Sequence, residues 1–221
     1  MKREIITTSD GSKTIQIVDW NEQYHSKHGA IQEAYHVFIK SGLSLFSNQS
    51  LSILEIGFGT GLNALITLIE AEKYKLDIEY TGIEAYPVLS KELLELNYIT
   101  ELKAENFQKK FELMHTMPWE EKVPLADNFT LHKKQKDFKE LDDVNLFNLI
   151  YFDAFGARVQ PELWTSAIFL IMFKALRRGG VLVTYAAKGS VRRAMQEVGF
   201  SVERLPGPPG KREMLRATKL E

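Results

Sequence analysis

The chain has 221 residues, of which 44% are hydrophobic and 26% charged, and these values are typical of a soluble globular protein. It contains no cysteine, which excludes a disulfide framework and thiol chemistry. No run of about 18 apolar residues occurs, and no apolar stretch follows the charged N-terminus. We therefore expect neither a membrane span nor secretion, and we expect a cytoplasmic location.

The formal net charge is −1, but the charges are unevenly distributed. Residues 1–173 carry 17 basic and 25 acidic side chains, whereas residues 174–221 carry 11 basic and 4 acidic ones. Such an asymmetry indicates either a basic face that binds phosphates or a solvated basic surface.

Residues 1–48 are predicted to form an extension that precedes the main domain, residues 49–221. An Asp-Gly pair at positions 10 and 11 separates two β-branched runs, which predicts a hairpin over residues 3–18. Apolar residues at helical spacing then predict a helix over residues 31–39.

A polar, aromatic loop lies between the hairpin and this helix. It contains Tyr24 and His25, which are candidates for substrate contact, with ordinary packing as the alternative. Histidines also occur at positions 28 and 36, but no cysteine and no His-Glu-x-x-His pattern accompanies them. We therefore expect no metal site.

The main domain is organised around a predicted strand over residues 51–56 that runs into a glycine-rich turn and a helix from Leu62. Glycine lets the backbone turn sharply and approach a ligand closely. The spacing matches neither the Gly-x-Gly-x-x-Gly dinucleotide motif nor a phosphate loop. It is typical of doubly wound methyltransferases that use S-adenosyl-L-methionine (SAM), and a junction without a ligand is the alternative. Candidate cofactor-binding residues here are Glu55, Gly57, Phe58, Gly59, Gly61 and Asn63.

Two further acids are predicted near strand ends. The next strand, over residues 77–83, ends at Glu84, whose carboxylate can accept both hydroxyl groups of a ribose. After a short strand over residues 129–132, Asp137 is a candidate acceptor for an adenine amino group and Phe138 for contact with the ring. A helix cap at Asp137 is an equal alternative.

Between these two acids, helices are predicted over residues 88–97 and 100–114. Prolines interrupt the stretch over residues 117–124, for which we predict an irregular insertion.

The strand over residues 146–152 is nearly all apolar and ends at Asp153. Ligands in open α/β sheets bind at the carboxyl ends of strands, so Asp153 is expected to face the glycine turn and Glu84. An alkyl amine is protonated at neutral pH, and Asp153 as the catalytic residue can orient it and accept its proton. Phe155 offers a stacking face. A strand end that merely caps a turn is the alternative for Asp153.

The rest of the chain is predicted to contain a helix over residues 161–177, a strand over 181–185, a helix over 191–198 and strands over 200–205 and 214–218. The loop over residues 206–212 is stiff and basic, which suits phosphate contact or a tight solvent turn. Basic candidates for substrate contact are Arg158, Lys188, Arg192, Lys211 and Arg212.

Several separate motifs, in this order, resemble the methyltransferase domain of the MnmC family. They are Tyr24-His25-Ser26 with Gly29, Glu33 and Val37-Phe38, Gly57 to Asn63, Asp153-Ala154-Phe155 with Pro161 to Thr165, Val191-Arg192-Arg193 with Gly199-Phe200, and Gly210 to Met214. The resemblance extends over nearly the whole chain. It implies an α/β, doubly wound, Rossmann-like class I SAM-dependent methyltransferase with an N-terminal β-hairpin extension.

The resemblance also implies a reaction and a partner. The family methylates the exocyclic amine of 5-aminomethyl-(2-thio)uridine at the wobble position of tRNA, so the implied partner is the anticodon stem-loop. The sequence requires no membrane and no metal, and it is compatible with a monomer.

Two features depart from the family pattern. The bifunctional members carry a flavin-dependent oxidase domain, which these 221 residues do not include, so we expect a stand-alone form. Where the family commonly has Pro and then Lys after Asp-x-Phe, this chain has Gly156 to Gln160. Arg158 keeps the positive charge but not the shape of a lysine, which affects substrate recognition.

Two other functions remain open. A small-molecule amine methyltransferase, or an aminopropyltransferase of the spermidine-synthase kind, would use the same fold and would ignore tRNA. A non-catalytic binding module would not need the glycine turn, Glu84 and Asp153 together, and would fail to bind SAM.

Overall fold

The computed structural model describes residues 2–220 of the chain. Its strands, β1 to β11, are Arg3–Thr7, Lys13–Ile17, Glu22–Gln23, Gln49–Ile56, Leu76–Ile83, Lys122–Ala126, Phe129–Lys134, Phe147–Phe152, Leu176–Thr184, Ser201–Pro206 and Glu213–Thr218. Its helices, α1 to α7, are Ala30–Ala34, Leu62–Ala71, Ser90–Leu93, Tyr98–Glu101, Gln108–Thr116, Ser166–Ala175 and Gly189–Glu197. A π-helical turn, Tyr35–Lys40, continues α1, and short 3-10 turns connect several other elements.

The main sheet has eight strands in the order β10, β11, β9, β8, β4, β5, β7, β6. Strands β9, β8, β4, β5 and β7 pair in parallel, whereas β6 and the hairpin of β10 and β11 are antiparallel additions at the two sides. The chain continues from β4 first to β5 on one side and later to β8 on the other. This makes β4 the switch point where doubly wound sheets bind ligands. The predicted α/β fold is confirmed.

Helices cover both faces of the sheet. Because side chains alternate between the faces along each strand, one strand contributes to two separate cores. On β4, Ile53 belongs to the core beneath α1 and α2, whereas Leu54 belongs to the core beneath α6 and α7. On β8, Tyr151 and Phe152 divide in the same way. Burial on both faces explains why β8 is a nearly continuous apolar run.

The N-terminal hairpin forms as predicted, with Ile5 paired to Ile15 across the strands. A strand that the sequence did not predict, β3, pairs with the end of β2 and completes a sheet of three strands. The helical segment after it packs on the main sheet, where the ring of Phe38 lies 4.9 Å from that of Tyr151. The domain boundary at residue 48 stays a prediction.

The segment after β5 differs from the prediction. The helix expected over residues 88–97 is reduced to the four residues of α3. The helix expected over residues 100–114 is divided between α4 and α5, because Lys103 adopts a left-handed φ of 51° that ends α4. The expected irregular insertion contains the start of β6, whose Pro124 is tolerated because β6 is an edge strand.

The helix predicted over residues 161–177 was wrong at both ends. A 3-10 turn, Pro161–Trp164, comes first, and α6 ends at Ala175. Strand β9 then begins at Leu176, which pairs with Phe147 of β8. The strand includes the two glycines, because the backbone N–H of Gly179 and the carbonyl of Gly180 pair with the backbone of Lys219 at 2.7 and 2.9 Å. The Gly-Gly pair that predicted a helix stop is therefore part of a strand.

Within residues 2–220, none of the helices is both long and apolar enough to cross a membrane.

Candidate active site

A cavity of about 710 Å³ opens at the carboxyl ends of the central strands. Its volume is within the range of small-molecule sites, about 300–1,000 Å³. Loops that follow β4, β5, β7 and β8 contribute to it, and the N-terminal extension forms another wall. The predicted site residues that line it are Tyr24, His25, Gly57, Phe58, Gly59, Asn63, Glu84, Asp137, Phe138, Asp153, Phe155 and Lys211.

The glycine turn presents backbone to the cavity. Gly57, Gly59 and Gly61 have φ values of 86°, 50° and 72°, a region that residues with a side chain rarely adopt. A Cβ atom at Gly57 would lie 2.7 Å from the carbonyl oxygen of Asp153, so the turn packs directly on the end of β8. Gly61 lies outside the cavity lining and precedes α2, where a Cβ would meet the ring of His115 at 3.2 Å.

The carboxylate of Glu84 orders this turn. One oxygen accepts the backbone N–H of Gly59 at 3.0 Å, and the other accepts the N–H of Tyr86 at 2.8 Å. Each carboxylate oxygen has a further lone pair, so Glu84 can still accept hydroxyl groups from a ligand in the cavity.

Asn63, in the first turn of α2, joins two acids. Its Nδ2 donates to Oε1 of Glu55 at 2.8 Å and to Oδ2 of Asp153 at 2.9 Å. Glu55 is fully buried beneath the cavity and accepts a second hydrogen bond, at 2.9 Å, from the hydroxyl of Tyr80. Burial raises the pKa of Glu55 well above its usual value. Glu55 therefore holds Asn63 and does not line the cavity.

The other end of the Asn63 amide has no partner. Its Oδ1 is buried and accepts no hydrogen bond from any described residue. A buried acceptor without a donor is costly, and it marks a position where a ligand can supply the missing donor.

Asp153 has a strongly perturbed carboxyl group. Burial, reinforced by the negative charge of Glu33, raises its pKa to about 7, while the hydrogen bond from Asn63 and the charge of Lys211 oppose the shift. A carboxyl group with a pKa near neutrality can both accept and release a proton at physiological pH.

Glu33 and Tyr185 line the same cavity and were not among the predicted site residues. Glu33 forms an ion pair with Nζ of Lys211 at 2.6 Å, and its other oxygen accepts the backbone N–H of Ser26 at 3.0 Å. The ammonium group of Lys211 also lies 3.8 Å from the centre of the Tyr185 ring. A charged residue on the apolar face of the helix over residues 31–39 was the available signal for Glu33.

Aromatic side chains form the wall contributed by the extension. Phe155 makes edge contacts with Tyr24 and Trp20, at ring distances of 5.0 and 5.8 Å. Burial raises the pKa of Tyr24 to about 12 and lowers that of His25 to about 4, so both are neutral at physiological pH. His25 is anchored by a 3.1 Å hydrogen bond between Nδ1 and the hydroxyl of Thr14.

Both roles considered for Asp137 are compatible with its position. Its Oδ1 accepts the N–H of Lys139 at 2.9 Å, which caps the 3-10 turn Phe138–Glu140. Asp137 and Phe138 also line the cavity. Phe138 is braced by an edge contact with Phe152 at 6.0 Å.

Four predicted basic residues do not line the cavity. Arg158 donates to the backbone carbonyls of Trp20 and Asn21 at 3.0 and 3.1 Å, which ties the loop after β8 to the extension. Lys188, Arg192 and Arg212 lie outside the lining, with Lys188 and Arg212 exposed. Their contacts with a substrate stay predictions.

A doubly wound sheet with its switch point at β4, a glycine turn after β4 and an acid after β5 defines a class I SAM-dependent methyltransferase. A family model described as "S-adenosyl-L-methionine-dependent methyltransferase" matches residues 95–220, more than half of the chain. The chain belongs to this family, and SAM is its cofactor.

Individual relatives are more specific. The chain is 30% identical over 230 residues to the tRNA 5-methylaminomethyl-2-thiouridine biosynthesis bifunctional protein MnmC of Hydrogenovibrio crunogenus, and this match covers 96% of the chain and 33% of the relative. The chain thus spans about a third of that relative's length.

Solved structures agree with the fold. The crystal structure of MNMC2 from Aquifex aeolicus superposes with a TM-score of 0.77 at 26% identity, over 100% of this chain and 71% of that one. Spermidine synthase from Thermotoga maritima superposes with a TM-score of 0.53 at 14% identity, over 99% of this chain and 74% of that one, and this likeness concerns the fold alone.

Proposed function

We propose that this enzyme transfers the methyl group of SAM to the exocyclic amine of 5-aminomethyl-(2-thio)uridine at the wobble position of tRNA, giving 5-methylaminomethyl-(2-thio)uridine. The observation that supports an amine as the methyl acceptor is the carboxyl group of Asp153, which lies in the cavity with a pKa raised to about 7. The choice of tRNA rests on relatives whose names state tRNA 5-methylaminomethyl-2-thiouridine biosynthesis.

The cavity has groups that suit each part of SAM. The bare backbone at Gly57 and Gly59 would hold the methionine part, Glu84 would accept the ribose hydroxyls, and Asp137 with Phe138 would contact the adenine. The buried Oδ1 of Asn63 lacks a donor in the described part of the chain, which fits a cofactor that carries an amino group. When bound, SAM supplies a methyl group activated by the adjacent sulfonium.

Asp153 would prepare the acceptor. An alkyl ammonium has no free lone pair and cannot react until it loses a proton. The carboxylate of Asp153 would orient the ammonium and accept that proton, and Asn63 would keep the carboxylate in place through its 2.9 Å hydrogen bond.

The proposed partner is the anticodon stem-loop of tRNA. The basic C-terminal part of the chain would contribute Lys188, Arg192 and Arg212 to phosphate contacts outside the cavity.

The test is the release of S-adenosylhomocysteine by the purified protein with three kinds of acceptor. They are tRNA from cells that lack this methyl group, tRNA that already carries it, and the small amines putrescine and spermidine. We expect release with the first acceptor only. Release with small amines and not with tRNA would contradict the proposal and favour a small-molecule enzyme.

A further inference from the structure

The ammonium group of Lys211 lies in a defined cation site inside the cavity. The Glu33 carboxylate pairs with it at 2.6 Å, and the Tyr185 ring lies beneath it with the ring centre 3.8 Å away. A carboxylate together with an aromatic face is a favourable environment for an alkylammonium ion. The same cavity contains Asp153, whose pKa is raised to about 7 mainly by burial, a shift that the charge of Lys211 partly offsets.

Lysine carries the same chemical group as the substrate in the proposed function, a primary ammonium on a CH₂ carbon. We propose that Glu33 and Tyr185 form the binding site for the ammonium group of the substrate, and that Lys211 occupies this site until the substrate displaces it. The inference rests on the proposed function and adds the residues that would select an amine.

The two sides of the site differ in how firmly they are held. Glu33 is buried, and its second oxygen is fixed by the backbone N–H of Ser26. Tyr185 is fixed by a 2.8 Å hydrogen bond from its hydroxyl to the carbonyl of Ala154. The Lys211 side chain is 32% exposed and belongs to the loop between β10 and β11, so it can turn outward without moving either partner.

Displacement of Lys211 would make the site selective. A buried carboxylate without a counter-ion is costly, so Glu33 must be paired by another cation when the lysine leaves. A uridine with an aminomethyl group supplies that cation, and an unmodified uridine does not. The site would therefore discriminate against tRNA that lacks the amine.

This role for Lys211 is opposite in effect to the phosphate contact that the sequence predicts. If Lys211 competes with the substrate, its removal strengthens binding of the amine. If Lys211 binds a phosphate, its removal weakens binding of any RNA.

The experiment compares two synthetic anticodon stem-loops that differ only in an aminomethyl group on the wobble uridine, both measured with S-adenosylhomocysteine present. The quantity is the amine preference, which is the dissociation constant of the unmodified stem-loop divided by that of the aminomethyl one. We expect Lys211→Met to raise the amine preference by about tenfold, which corresponds to about 1.4 kcal/mol. We expect Glu33→Gln, which keeps an acceptor for Ser26, to lower the preference several-fold without abolishing it, because the Asp153 carboxylate still favours the ammonium.

Two further variant comparisons make the result specific. Arg212→Met removes a neighbouring exposed positive charge and should weaken both RNAs alike. Tyr185→Phe keeps the aromatic face and should keep the preference, whereas Tyr185→Leu should lower it. The Lys211 and Tyr185 variants also test the site independently of whether Glu33→Gln folds.

Equal weakening of both RNAs by Lys211→Met would overturn the inference, as would a folded Glu33→Gln protein with an unchanged preference. Methyl transfer to the aminomethyl stem-loop is also measured, with the protein that carries no substitution. Absence of that transfer would refute the proposed function, whereas transfer with unchanged preferences in the variants would refute this inference alone.

Discussion

At the scale of single residues, the surroundings of Asp153 determine what its carboxyl group can do. Burial in the protein interior, and then the charge of Glu33, disfavour its charged form, while the Asn63 amide and the Lys211 ammonium favour it. The balance leaves its pKa at about 7, well above that of an exposed aspartate. Such a group loses its proton within the physiological range and can serve as a base there.

We predict that Asp153→Ala leaves the affinity for SAM within a few-fold but lowers methyl transfer by about a hundredfold, because the base is lost and the cofactor contacts are not. Calorimetric binding and single-turnover transfer measure the two quantities. With the protein that carries no substitution, the rate of methyl transfer should rise with pH through about 7 as Asp153 ionises. This inflection should vanish in Asp153→Asn. Equal losses of binding and transfer would instead identify Asp153 as a cofactor-binding residue.

The sequence predicted Asp153 and Glu84 because each directly follows an apolar strand, and parallel strands end at a common edge. It included Glu33 in the family motif without assigning it a role at the site, and it did not single out Tyr185. Glu33 reaches the cavity from a helix about 120 residues before Asp153, and Tyr185 presents its ring, which belongs to no polar motif, to the Lys211 ammonium. Such a meeting depends on tertiary packing that periodicity does not encode.

At the scale of elements, the turn after β4 depends on conformations that suit glycine. Gly57 combines a positive φ with close packing on the carbonyl group of Asp153. Gly179 has a φ of 75° but has open space where a Cβ would lie. Substitutions at these two positions therefore distinguish the effect of backbone strain alone from that of strain combined with close packing.

We predict that Gly57→Ala lowers the free energy of unfolding by about 1–3 kcal/mol and weakens SAM binding at least tenfold, because the added Cβ displaces the turn. The matched variant Gly179→Ala should cost only about 1 kcal/mol and leave SAM binding unchanged. Urea denaturation and calorimetry measure both effects. Normal SAM binding by Gly57→Ala would show that the turn does not contact the cofactor.

The buried ammonium group of Lys219 caps the C-terminal end of α6. Nζ of Lys219 donates to the carbonyls of Phe173 and Leu176 at 2.9 and 2.8 Å and to the side chain of Asn145 at 2.9 Å. A positive charge here satisfies carbonyl groups that the helix leaves free and complements the helix dipole.

We predict that Lys219→Met lowers the free energy of unfolding by about 1–3 kcal/mol, since three hydrogen bonds to one charged group are lost. Lys174→Met, which removes an exposed lysine from the last turn of the same helix, should change it by less than about 0.5 kcal/mol. Urea denaturation compares the two. Similar effects of both substitutions would contradict a capping role for Lys219.

Elements marked by an apolar run or a turn motif could be predicted from the sequence. Element ends set by one unusual backbone conformation or by distant strand pairing could not. Strands β4 and β8 follow from apolar runs, and the hairpin from Asp-Gly. The division of α4 from α5 depends on the left-handed backbone of Lys103. The extent of β9 depends on the pairing of Leu176 with Phe147 and of the two glycines with Lys219. Neither condition is visible in the local sequence.

At the scale of the whole molecule, charge is separated along the chain despite a net charge of only −1. The C-terminal part has an excess of basic residues, and it contributes β9, α7 and the hairpin of β10 and β11 to one side of the sheet. An excess of basic residues in one part of the chain suits the binding of a polyanion.

We predict that tRNA affinity falls steeply as salt concentration rises, and that Arg212→Met reduces the slope of log K against log salt by about one, because one phosphate contact is lost. Lys109→Met, an exposed lysine on α5, should leave the slope unchanged. Binding titrations at several salt concentrations measure both. An unchanged slope in Arg212→Met would remove that residue from the proposed interface.

The most direct measurement is the position of the transferred methyl group. The protein is incubated with SAM that carries a CD₃ group and with tRNA from cells that lack this methyl group, and the digested nucleosides are fragmented by mass spectrometry. We predict that the label appears on the exocyclic nitrogen of 5-aminomethyl-(2-thio)uridine. A label on a ring atom, on the ribose or on another nucleoside would contradict the proposed function.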